Sequence, residues 1–180
     1  MDHDIEVTFG ADAAYEGAIT GVSFNGTALT LTTDYVVSSG KVTLKPSGGK
    51  AVLRTPATAN VVITATGYNS SSVSQQITAG TVASLTVTTQ PAPGAASGNT
   101  FATQPVVTLK DQYGNICANG PSATANVVAT AKAGTGTWMI GGDATKAAVA
   151  GVATFTNLTC TLTAPGNGAM TFTSTATWIS

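Results

Sequence analysis

Charge is what this sequence has least of. Only 8% of its 180 residues are Asp, Glu, Lys or Arg, against a usual share of about 25%. The straight-chain charged residues that cover helix surfaces are therefore scarce, which argues against a helical fold. The seven basic residues (Lys41, Lys45, Lys50, Arg54, Lys110, Lys132, Lys146) are scattered, and the net charge is −1. A nucleic-acid binder needs a concentrated positive footprint, so that class is excluded. Histidine occurs once, as His3, and any Ser–His or Cys–His nucleophilic pair would have to use it. With only two cysteines and no spare histidines, a tetrahedral zinc site lacks ligands. No apolar run approaches the ~18–20 residues that span a bilayer. No basic-then-apolar leader is present either. The chain passes from Met1-Asp2-His3 straight into strand-like residues, which suits a segment of a longer protein.

What is present is apolar and β-branched. Hydrophobic residues make up 43% of the chain, too many for disorder at so low a net charge. Thr and Val are stiff at the β-carbon and suit a pleated strand, Thr on the wet face and Val or Ile on the dry one. The expected class is all-β.

Short alternating runs recur between turn residues in the manner of a sandwich. Ile5–Phe9 and Ile19–Phe24 alternate, the second ending at Asn25-Gly26, a strong hairpin signal. Tyr35–Val37, the turn Ser38-Ser39-Gly40, and Val42 with Leu44 read as a hairpin. Val61–Ala65 and Val73–Ile77 complete a first set, and Asp12–Glu16 is long enough for one helical turn. The pattern restarts near residue 80: Leu85 with Val87, then Val106–Lys110, Val127–Ala131, Thr137–Ile140, Val149–Phe155, Thr159–Thr163 and Met170–Ser174. Two immunoglobulin-like antiparallel β-sandwich domains in tandem are expected, over 1–79 and 80–180. The joint has no Pro- or Ser-rich stretch, and so short a linker favours a rod over swinging modules.

The segment Ala14-Tyr15-Glu16-Gly17-Ala18-Ile19-Thr20-Gly21-Val22-Ser23-Phe24-Asn25-Gly26-Thr27-Ala28-Leu29, with Asp34-Tyr35-Val36-Val37 and Ala65-Thr66-Gly67-Tyr68, resembles the haemoglobin-interacting-type repeat of Gram-positive haem-uptake receptors and other surface proteins. The resemblance covers about residues 4–78 and carries no ligand-contact motif with it. Residues 81–180 resemble bacterial Ig-like domains of surface-layer proteins, adhesins and invasin-type proteins. The motifs are Leu85-Thr86-Val87-Thr88-Thr89-Gln90-Pro91, Gln104 through Asn115, and Gly151-Val152-Ala153-Thr154-Phe155-Thr156-Asn157-Leu158. The resemblance implies a sandwich at an extracellular, cell-surface location.

Residues with chemistry to offer are few. Cys117 and Cys160 are expected to pair in a disulfide, which would close a loop of about 44 residues and contribute roughly 3–4 kcal/mol in the chain-entropy model. The alternative is two separate thiols, one buried as a small hydrophobe. Asp12, Glu16, Asp34 and Asp111 fall in predicted turns or caps, where a carboxylate bonds local backbone, rather than flanking a glycosidase cleft. Ser47-Gly48-Gly49-Lys50 and Gly134-Thr135-Gly136 lack phosphate-loop spacing. Asp2-His3-Asp4 reads as solvated tail, and Lys110 as a remote candidate for an isopeptide bond. Tyr15, Tyr68, Trp138 and Trp178 are the aromatic candidates for a contact surface, with core packing the commoner role.

No catalytic residues, metal or cofactor are expected. The leading expectation is a non-catalytic structural spacer in a secreted bacterial cell-surface or S-layer protein, its partners being neighbouring domains of the parent chain. The alternative is an adhesin-type module that binds a host protein, haem, polysaccharide or cell-wall polymer. A third reading makes the two domains accessories of an extracellular polysaccharide-degrading enzyme.

Overall fold

A computed structural model describes residues 3–133, 138–162 and 168–175. The chain divides into two compact units, Met1–Ala79 and Gly80–Ser180. Each is an antiparallel all-β assembly with its own core.

Unit 1 contains β1 (Ile5–Thr8), α1 (Ala13–Ala18), β2 (Ile19–Phe24), β3 (Thr27–Ala28), β4 (Tyr35–Ser38), β5 (Lys41–Leu44), β6 (Ala57–Ala65) and β7 (Ser71–Ile77). Two sheets form, one of order β1-β5-β4 and one of order β3-β2-β6-β7. Alternation explains the core: Val22 and Phe24 of β2, Val42 and Leu44 of β5, and Val61 and Ile63 of β6 all point inward and are buried. The Asn25-Gly26 turn between β2 and β3 holds both residues at positive φ, 48° and 73°, as a two-residue type I′ turn requires. Two single 3₁₀ turns, Pro46–Gly48 and Ala51–Arg54, come after β5, and the second buries Leu53 completely.

A six-residue helix is marginal alone, and α1 is held from both sides. The Asp12 carboxylate accepts from the N–H groups of Ala14 (2.9 Å) and Tyr15 (3.2 Å), an N-cap. Glu16 Oε1 accepts from Gly40 N–H at 2.8 Å, tying the helix to the β4–β5 turn.

Unit 2 contains β8 (Ser84–Thr89), β9 (Val106–Lys110), β10 (Asn126–Ala131), β11 (Trp138–Gly141), β12 (Thr145–Ala147), β13 (Val152–Thr154), β14 (Thr159–Leu162) and β15 (Met170–Ser174). They pair as β13-β9-β8, β12-β10-β15 and β11-β14. Val107, Leu109, Val127, Phe155 and Leu158 lie at the centre of the core. Val149–Phe155 is not one strand, as its apolar run suggests. Ala150 (φ 48°) and Gly151 (φ 75°) make a turn inside it, and Val149 and Val152 exchange both backbone hydrogen bonds across it, at 2.9 and 3.0 Å. Thr137 and Thr163, at the ends of two expected strands, and Gly134-Thr135-Gly136 lie outside the described residues.

The start of unit 2 is tied to its interior. Asp111 is 2% exposed, and its carboxylate accepts from the backbone N–H groups of Tyr113, Asn115 and Gly80 and from the Asn115 side-chain amide. Val82 N–H donates to Ser122 Oγ at 3.0 Å. Among the described residues no helix is long and apolar enough to cross a membrane.

Candidate functional site

The aromatic residues of unit 1 gather around α1. Tyr15 projects from the helix, Phe9 comes directly after β1, and Tyr68 sits in the β6–β7 turn, which Gly67 makes at φ 81°. The rings stack edge to face in series. Phe9 and Tyr15 have centroids 5.4 Å apart at 84°, and Tyr15 and Tyr68 5.1 Å apart at 78°. Such pairs add about 0.5–1.5 kcal/mol beyond area burial, so the series holds Tyr68 in place although 46% of it is exposed.

Val73 on β7 extends this surface. Its cross-strand partner Val61 is fully buried, so Val73 faces the core side of the sheet, yet it remains 45% exposed. Between Val73, Phe9 and Tyr15 lies a notch of about 70 Å³ with Val61 and Ile63 beneath it. On the other flank of α1 an open groove of about 340 Å³ is lined by Glu16, Ile19, Leu31, Thr32 and Val37. Leu31 is 52% exposed there. Aromatic rings with a polar tip beside uncovered aliphatic side chains form a surface suited to contact with another macromolecule.

Residues 1–78 match the family described as "Heme-binding protein Shr-like, Hb-interacting domain". The match takes in all of β1–β7, the notch and the groove. No curated protein matches the chain.

The other sequence candidates fall elsewhere. Beyond unit 1, Trp138 of β11 is only 8% exposed. It lines an apolar hollow of about 330 Å³ in unit 2 with Pro91, Phe101, Cys160, Leu162 and Met170. Trp178 lies outside the described residues. The expected disulfide is not formed: Cys117 and Cys160 are free thiols. Cys117 is fully buried in the core and donates its S–H to Gly80 C=O at 3.6 Å. Cys160 stands in β14 at the apolar hollow, where burial pushes its thiol up from the ordinary range. A higher thiol pKa means less thiolate at neutral pH and slower attack on oxidants.

The carboxylates are spread through the turns. Asp34, 2% exposed, accepts from Thr30 N–H at 2.8 Å and lies 3.8 Å from Lys50 Nζ. Asp143 Oδ2 accepts from Asn157 Nδ2 at 2.8 Å. Burial raises the Tyr35 hydroxyl above the ordinary tyrosine range. Among the described residues no group of three or more His, Cys, Asp or Glu is placed to hold a metal.

Phe9, Leu31 and Val73 belong to the surface although sequence reasoning did not single them out. Each sits in an alternating or apolar run that reads as core. What leaves Val73 uncovered is the position of β7 at a sheet edge, and strand order is not written in the alternation.

Proposed function

We propose that unit 1 is the recognition module of a bacterial cell-surface protein and that its partner is a host protein, a haem protein foremost. The observation that carries this reading is the Phe9–Tyr15–Tyr68 series, half-buried at Phe9 and Tyr15 and exposed at Tyr68, beside the exposed Val73, within residues that match an Hb-interacting domain. Tyr anchors are over-represented among the few residues that dominate binding energy, because they contribute large rigid area at small entropy cost. We read the module as non-enzymatic. Its buried carboxylate Asp34 is engaged by backbone and Lys50, and His3 is exposed next to the amino terminus.

Unit 2 is proposed to be an Ig-like domain with a spacer role, presenting unit 1 at the cell surface. Its Gly80–Asp111 tie supports this, since it fixes the point where unit 2 begins.

The test is a binding screen of the immobilised chain against haemoglobin, free haem, a glycan array and purified cell-wall polymer. Saturable binding of haemoglobin, weakened at least tenfold in Tyr68→Ala, is expected, equivalent to about 1.4 kcal/mol or more. Tyr68 is half exposed, so the variant keeps the fold. Haemoglobin binding unaltered by that substitution would remove the aromatic surface from the reading. No binding to any member of the panel would leave the spacer role for both units.

A further inference from the structure

Strand β7 is an edge of its sheet, and the direction of its backbone groups is set by its neighbours. Asn25 N–H donates to Asn60 C=O at 3.1 Å, and Thr66 N–H to Ala18 C=O at 2.9 Å. The even-numbered residues of β6 therefore turn their backbone groups toward β2, and the odd-numbered ones serve β7. Through the pairs Val61 with Val73 and Ala59 with Gln75, β6 takes up the N–H and C=O groups of Val73 and Gln75. Those of Ser72, Ser74 and Gln76 point away from the sheet, and all three residues are exposed. Gln75 Nε2 donates to Gln76 C=O at 3.1 Å, and that oxygen keeps a second lone pair.

Natural proteins usually blunt such an edge with Lys, Pro, a bulge or a very short strand. β7 has none of these. It runs Ser71-Ser72-Val73-Ser74-Gln75-Gln76-Ile77 and pairs with β6 over seven positions without a register shift. A row of alternating main-chain donors and acceptors is matched by one kind of ligand, another extended main chain. A strand laid along β7 carries every second side chain to the core side, where the notch between Tyr15 and Val73 stands open. No residue of β7 or of the notch is charged, which favours an uncharged segment.

We propose that the free edge of β7 is a binding site for an extended, uncharged peptide segment of a partner protein, which joins the sheet as a further strand and seats an apolar side chain in the notch. The proposal shares the Tyr15–Val73 notch with the haem-protein reading but rests on the outward backbone groups of β7, which that reading does not use. A second copy of this chain is the poorer occupant. In antiparallel edge pairing centred on Ser74, Val73 would meet Gln75 of the second copy, and Ser71 would meet Ile77, whose side chain is held in its own core at 2% exposure.

The test uses the full chain and a short capped peptide of alternating valine and serine. Titration should show saturable binding, with amide exchange of Ser72, Ser74 and Gln76 slowed at least tenfold in the complex. A version of the peptide with every amide N-methylated should not bind. Ser74→Pro removes an outward N–H and leaves the β6 ladder intact, since Pro is tolerated on an edge. It should keep the circular dichroism spectrum and lose at least tenfold in peptide affinity, with Ser74→Lys acting in the same direction. Equal binding of the N-methylated peptide, or full affinity in a folded Ser74→Pro chain, would overturn the proposal. So would an absence of binding to the parent chain, or a concentration-dependent dimer that Ser74→Pro abolishes. Haemoglobin binding need not change in either variant, so the two readings fail separately.

Discussion

Donors from four groups converge on the Asp111 carboxylate: the N–H of Gly80, Tyr113 and Asn115, and the Asn115 amide. A buried carboxylate is stable only when its lone pairs are occupied in this way. Removing it strands buried N–H groups, which costs more than the bonds contribute on balance. Asp111→Ala should therefore lower the stability of unit 2 by about 2–4 kcal/mol. The measurement is the urea midpoint of the unit 2 transition, and an unchanged midpoint would show that water replaces the carboxylate. The turn-forming character of this aspartate is legible in Asp111-Gln112-Tyr113-Gly114-Asn115. Its reach back to Gly80 is not, because that contact spans 31 residues. The cysteines show the same limit. A count of two in an extracellular-type sequence suggests a bond, while the fold sends one thiol to the core and the other to β14.

Among the elements, the hairpins built on strong turn signals are the ones the sequence announces best. Asn25-Gly26 joins β2 to β3, and Ser39-Gly40 separates β4 from β5, with Ser38 the last residue of β4. The Val149–Phe155 run hides its turn because Ala150 is a poor signal for a left-handed residue. Ala150 holds φ 48° where unit 1 uses Asn25 at the same φ. Such a conformation costs an ordinary L-residue about 1–2 kcal/mol, and Asn relieves part of that by bonding locally. Ala150→Asn should stabilise unit 2 by roughly 0.5–1 kcal/mol, seen as a rise of a few degrees in its Tm. A fall in Tm would mean that the new side chain meets a neighbour. Strands β3 and β12, of two and three residues, lack the length to show a period. The 3₁₀ turn that buries Leu53 is silent for the same reason.

At the scale of the whole molecule, the described residues form two hydrophobic clusters, one within each compact unit. Unit 1 has Phe24, Val42, Leu44, Leu53 and Val61 completely buried, a core adequate for a small domain despite its modest ratio of volume to surface. Residues 1–79 expressed alone should fold, with a single cooperative urea transition at the midpoint of unit 1 in the full chain. A molten spectrum, with β structure but no fixed tertiary signal, would show that unit 1 depends on unit 2 for its packing. Alternation and composition make the class legible over the whole length. The binding surface is legible only in part, since Tyr15 and Tyr68 stand out as rare aromatics while their meeting depends on α1 and the β6–β7 turn closing together.

The bond from Asp111 to Gly80 also sets an order in time. The turn 111–115 closes over a few residues and can form within nanoseconds to microseconds, whereas its partner lies 31 residues upstream and must be brought in against the entropy of a much longer loop. A refolding chain thus builds the clasp before the residue it will hold arrives. On that order the Gly80 contact closes after the turn that receives it, which makes it a later lock than the turn itself. Contacts of that kind act on how slowly a domain opens rather than on how fast it forms.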